Sequence, residues 1–327
     1  MRIKRFLSIA PLVVVLSVVI GTTWVTLPYY TEGPGPAREV VPLIHVHGPP
    51  VYSSAGKLIM TTVEYRQATA FTAFLAWLDP DRRVISSDVL YPPGQTPEEE
   101  HERSISEMDT SKIDAAYVVL HTLSSYPLDH GTGALIEGIF TGCPAEGELF
   151  AGDLIVAMNG RPVSSRAEAL RAFDAAPLDS PITFRVRAAG ETHEVTLTRD
   201  PCVSGDAPIV GITMVPNFPY RISIDSGDVG GPSAGMMYAL GLYDLLTPGD
   251  LTAGRIVAGT GTIDLAGTIG PIGGIGDKIV AAQGGGADIF LVPDGDLKGA
   301  QVASDGSMQI VPISTLQDAL TYLRGLS

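Results

Sequence analysis

The sequence predicts an α+β protein, and three observations carry the prediction. Short runs alternate apolar and polar residues at 56–63, 182–187 and 193–198, the period of a half-buried strand. Thr96 and Ser165 each stand three residues before a glutamate at the head of a helical stretch, the pattern of a capping box. A buried helix is expected over 233–242, closed by Thr247-Pro248-Gly249. The chain has 327 residues, 45% of them hydrophobic and 17% charged, which excludes disorder and leaves room for two cores. A net charge of −15 argues against nucleic acid and against a basic lipid-binding patch.

In chain order, Arg2, Lys4 and Arg5 precede an uncharged run over residues 6–30. Its core is long enough to span a bilayer, with Trp24, Tyr29 and Tyr30 placed as interfacial aromatics. The expectation is a single-pass transmembrane anchor in the cell membrane, with residues 1–5 cytoplasmic and the rest of the chain outside. A cleaved signal peptide is the competing reading, although no Ala-x-Ala site follows the most apolar part, which ends near Ile20. Within 38–121, a strand over 56–63 is followed by a helix that opens at Thr96-Pro97 and becomes apolar on one face at 113–120.

The middle of the chain reads as a small β-rich module. A strand over 154–158 runs into the Asn159-Gly160 hairpin turn, a second short strand, a helix from Arg166 capped by Ser165 and Glu168, and two further strands. With Gly142-Cys143-Pro144-Ala145 ahead of it, this pattern resembles a bacterial PDZ domain over 122–202. The resemblance implies peptide binding by strand addition and a backbone loop for a terminal carboxylate. It places that site at Gly131 and Gly133 and along Ala134, Leu135 and Ile136. Cys143 and Cys202 are the only cysteines, and sequence leaves their pairing open.

The chemistry concentrates in Gly230-Gly231-Pro232-Ser233-Ala234-Gly235 and, 45 residues later, in Gly276-Asp277-Lys278. A serine among small residues is sterically open, and a lysine in an apolar helix loses pKa on desolvation. A neutral lysine can take the proton of a serine hydroxyl. A phosphate loop is excluded here, because Asp277 separates Gly276 from Lys278 and no Ser or Thr follows. Gly259-x-Gly261 lacks the third glycine of a dinucleotide fingerprint.

These blocks, with Ala258-Gly259-Thr260-Gly261, Pro271-Ile272-Gly273-Gly274 and Gly285-Gly286-Ala287 before Phe290-Leu291-Val292-Pro293, resemble the proteolytic domain of Lon proteases. The resemblance implies that Ser233 is the nucleophile, Lys278 the general base and Thr260 the hydroxyl that orients the lysine. Gly231, Pro232 and Ala234 would support the nucleophile. Asp296 departs from the asparagine expected at its place. The whole order of modules resembles a bacterial family of membrane-bound, PDZ-containing Lon-like proteases.

That implies residues 38–121 and 203–327 as one split proteolytic domain around the PDZ, the alternative being a separate membrane-proximal domain at 38–121. The expected activity is an ATP-independent serine endopeptidase acting on protein or peptide substrates, with no cofactor, metal, nucleotide or nucleic acid. A homo-oligomer is left open. The alternative of a different class is an inactive PDZ scaffold on a protease-like fold. His45 and His47, two apart on one strand face, lack the further ligands a metal needs. Asp225 and Asp228 read as loop acids.

Overall fold

Thr26–Glu39 (β1) and Lys57–Thr69 (β2) form a long antiparallel pair, and Arg83–Ser86 (β3) extends it along the other side of β1. The structure is a computed structural model that describes residues 22–91, 96–124, 133–188, 191–202 and 208–326. Its described residues form two compact units. One combines the chain up to Val118 with the chain from Ser223 onward; the other is Val119–Ile222.

In the first unit the helices are Ala70–Leu78 (α1), Pro97–Ser124 (α2), Gly235–Leu246 (α3), Ile275–Gly284 (α4), Leu297–Ala303 (α5) and Leu316–Arg324 (α6), besides a single turn at Ser87–Leu90. The late strands are Ile256–Gly259 (β4), Ile289–Pro293 (β5) and Gln309–Ile313 (β6). The sheet order is β6-β5-β4-β2-β1-β3, so strands from both ends of the chain interleave. β4 pairs in parallel with β2 and β5, and β5 with β6. Parallel strands are covered on both faces and read as continuous apolar runs, as Ile289–Pro293 does. Ile59, Ala258, Phe290 and Val292 pack against Ile279 and Ala282 of α4 and Ala300 of α5. Phe290 is fully buried, and truncating such a residue to alanine costs about 3–5 kcal/mol.

α2 begins as its cap signal predicts: Thr96 Oγ1 accepts from the Glu99 N–H and Glu99 Oε2 from the Thr96 N–H. Buried Met108, Ala115, Tyr117 and Val119 form its inner face.

The second unit holds a six-stranded antiparallel sheet: Ile212–Pro216, Ala134–Ile139, Leu154–Met158, Ile182–Ala188 and Glu191–Leu197 follow in that order, and the short Arg161–Pro162 pairs with Leu154–Met158. Its core is Ile136, Leu149, Ile155, Phe184 and Val186. The helix Arg166–Asp174 has Ser165 as its cap, but Glu168 reaches one residue further back than a capping box does, to the Ser164 N–H and hydroxyl. Cys143 and Cys202 form a disulfide across 59 residues.

The N-terminal expectation needs correction in its bounds. Residues 6–21 lie outside the described residues, but Thr26–Tyr30, assigned to the anchor, belong to β1. Tyr30 pairs with Gln67 and Tyr29 with Ser86. Aromatic and β-branched side chains suit a pleated surface, and two flanking strands satisfy this backbone. No described helix is long and apolar enough to cross a membrane.

Candidate active site

The loop that carries Ser233 is shaped by what α2 leaves room for. The Gly231 N–H donates to the Ser104 carbonyl at 2.8 Å, with Gly231 at φ 81°. A Cβ on Gly230 would come within 2.2 Å of Ser104 Oγ, so only glycine fits there. Pro232 then opens a single 3-10 turn, Pro232–Ala234, which precedes α3. Ser233 therefore sits in this turn and not in the first turn of the α-helix that the sequence suggests. Proline fixes φ for the tight turn, and the close approach to α2 decides where regular helix can start. Ser111 Oγ donates to the Pro232 carbonyl at 3.0 Å. Ala234 and Gly235 are buried, and a Cβ on Gly235 would lie 2.4 Å from Ser111 Oγ.

Lys278 lies in the first turn of α4, only 3% exposed, and its Nζ is 2.8 Å from Ser233 Oγ. The same nitrogen is 3.0 Å from Thr260 Oγ1, which follows the end of β4. Thr260 donates its own proton to the Ser233 carbonyl at 3.0 Å, and the Gly261 N–H reaches that carbonyl at 2.8 Å. With its proton committed, Thr260 can only accept from an amine N–H. A neutral lysine held in this way turns its lone pair toward Ser233 Oγ. Burial lowers the Lys278 pKa from 10.5 to about 8, against a smaller opposing pull from the Asp296 carboxylate. Asp296 is itself held by the Ile272 N–H at 3.0 Å.

The preceding residue anchors α4. Asp277 Oδ2 is 2.6 Å from Arg83 Nη2, and Arg83 also pairs with Glu32 at 3.2 Å. Burial raises the Asp277 pKa, and the Arg83 guanidinium opposes that. Ser104, Ser111, Arg83 and Glu32 carry no sequence signal for these roles, since each partner lies at least 51 residues away.

A cleft of about 1080 Å³ opens over Ser233 and Lys278. One wall is α2 from Glu100 to Met108; another is Thr61–Tyr65 of β2. β4 pairs with β2 only as far as Gly259 opposite Met60. Among the described residues, the β2 edge beyond Met60 on that side is unpaired, and it runs along the cleft. Asp228 also lines the cleft, whereas Asp225 caps the Gly227 N–H.

The residues expected to bind a peptide in the second unit lie in a strand that is paired on both edges. Ala134 pairs with Pro216 on one side and Ile155 on the other, and Leu135 with Val215 and Leu154. Ile136 pairs with Met214, and its N–H donates to the Asp153 carbonyl. A strand bonded on both edges cannot accept a third partner. The Gly133 N–H is used by the Ser164 carbonyl, and its missing Cβ makes room for the Ile155 carbonyl. Gly131 lies outside the described residues. The outer strands of this sheet are Ile212–Pro216 and Glu191–Leu197. The helix Arg166–Asp174 lies beside the former, where Arg166 Nε donates to the Met214 carbonyl at 2.7 Å.

His45 and His47 are exposed on the strand Ile44–His47, and no group of three or more metal-ligating side chains occurs among the described residues.

Residues 221–324 match the family model of the Lon protease (S16) C-terminal proteolytic domain. The Lon-type segment thus holds Ser233, Thr260 and Lys278, while the β1–β2 pair and the α2 wall lie outside it. Among relatives, the Lon protease of Rickettsia bellii is 32% identical over 111 residues, covering 32% of this chain and 14% of that protein. Lon protease 2 of Bacillus subtilis is 38% identical over 104 residues, covering 32% and 17%. The chain therefore spans less than a fifth of these Lon relatives' length. A solved PDZ domain of an SdrC-like protein from Listeria innocua aligns with 22% identity and a TM-score of 0.23, covering 25% of this chain and 92% of that domain.

Proposed function

We propose that the chain is a serine endopeptidase that uses a Ser233–Lys278 dyad and needs no ATP. The observation that carries this is the 2.8 Å approach of a buried, pKa-lowered lysine amine to a serine hydroxyl at an open cleft. Neutral Lys278 takes the Ser233 proton as Oγ attacks the peptide carbonyl. The resulting oxyanion is met by backbone N–H groups of the turn around Ser233. The lysine ammonium protonates the leaving amine, and the neutral amine then activates the water that releases the acyl group. Thr260 keeps the amine aimed throughout.

An extended substrate suits the cleft, because the free edge of β2 at Thr61–Tyr65 offers main-chain partners beside the nucleophile. Residues 6–21 would tether the chain to a membrane. The second unit would take a peptide along Ile212–Pro216, displacing Arg166 from Met214. The test is labelling with a fluorophosphonate serine probe and cleavage of an unfolded casein, in full-length wild type and Ser233→Ala, without nucleotide. Labelling and cleavage in wild type alone are expected. A well-folded wild type that shows neither refutes the reading.

A further inference from the structure

Helix α1 is inside out. Its residues facing the protein are small: Ala76 is buried and Ala73 half-buried. Its large side chains point away, with Phe74 55%, Trp77 77% and Leu78 58% exposed, and Phe71 and Leu75 exposed beside them. A helix that packs onto a core in water does the opposite. Small residues toward protein and large apolar ones outward is the arrangement of helices in lipid.

The surroundings point the same way. Thr69, which caps α1, pairs with Thr26, so Trp24 and Val25 lie at the same tip; they are 82% and 60% exposed. The patch thus holds both tryptophans of the chain. No charged residue occurs from Gln67 to Leu78, whereas Arg66, Asp79 and Arg82 stand at its two ends. In the sequence, the uncharged run over residues 6–21 ends three positions before Trp24. Nine residues of helix are about 14 Å long, half of what a bilayer core requires, so α1 cannot span one.

We infer that α1, with Trp24 and Val25, is a lipid-inserting surface that seats the first unit on a bilayer, in the interfacial layer next to the apolar N-terminal run. Tryptophan prefers that layer, and an apolar helix of this length lies within it. The inference uses no step of the peptidase chemistry, and its readout is separate from cleavage.

The test uses the full chain in phosphatidylcholine vesicles. Trp24→Phe leaves Trp77 as the only tryptophan. Vesicles should shift Trp77 emission to the blue and reduce its quenching by aqueous acrylamide several-fold, and brominated acyl chains should quench it. Phe71→Glu with Leu75→Glu should return Trp77 to water while serine-probe labelling at Ser233 is unchanged. Acrylamide quenching that vesicles do not alter would overturn the inference. So would shielding from both quenchers, which would mean that a second copy or another part of the chain covers α1.

Discussion

Ser111, on the long helix α2, donates its hydroxyl to the carbonyl of Pro232, the residue before Ser233. One helical turn and three residues earlier, Ser104 accepts from Gly231 through its main chain. The two bonds fix the turn that carries Ser233 from a part of the chain over a hundred residues away. Ser111→Ala leaves the Pro232 carbonyl buried without this donor, and one such bond is worth about 1 kcal/mol. We expect serine-probe labelling to slow by about fivefold, the rate factor for about 1 kcal/mol in the barrier. Ser111→Thr should recover part of that rate.

Activity should rise with pH through about 8, because only the neutral Lys278 amine accepts the Ser233 proton. Asp296 holds that pKa up, so Asp296→Asn should move the acid limb of the kcat/KM profile to lower pH. The asparagine carboxamide oxygen can still accept from the Ile272 N–H, which separates a charge effect from a lost contact.

The same lysine weakens the fold at neutral pH. Its native pKa of about 8 lies below the unfolded 10.5, so below pH 8 both states are protonated and the native one holds a buried charge. Between 8 and 10.5 the unfolded state binds the extra proton, and stability rises with pH. Lys278→Met should therefore be inactive yet more stable at pH 7, by up to about 3 kcal/mol. Its advantage in chemical denaturation should shrink as pH rises through 8 toward 10.5.

The disulfide between Cys143 and Cys202 closes a long loop around the second unit's sheet. Replacing both cysteines by serine should cost that unit about 4 kcal/mol by the chain-entropy relation. Urea unfolding followed by near-ultraviolet signals should show the loss. Serine-probe labelling at Ser233 in native buffer should remain.

What the sequence made legible was local. The glycine-rich loops, the Thr96 and Ser165 caps, and the separate settings of a serine among small residues and a lysine in an apolar helix all depend on neighbours within a few positions. The start of regular helix after Ser233 was misplaced because a tertiary approach to α2 sets it. Ala134–Ile136 is a run of three apolar residues, and nothing in such a run says whether one or both edges of the strand are taken. Arg83 beside Asp277 was invisible for the same reason, the two being 194 positions apart. Residues 70–78 are an uncharged stretch whose composition does not tell which face turns outward.

The interleaved sheet also dictates when the cleft can exist during synthesis. β2 is made early, but its parallel partner β4 follows about two hundred residues later, with Leu58 waiting for Val257. Parallel pairing across so long a span is slow to nucleate. The β2 wall of the cleft, Ser233 and Lys278 leave the ribosome in that order. A nascent chain cannot bring Lys278 to Ser233 until α4 emerges, so the pair forms only when most of the chain has been made.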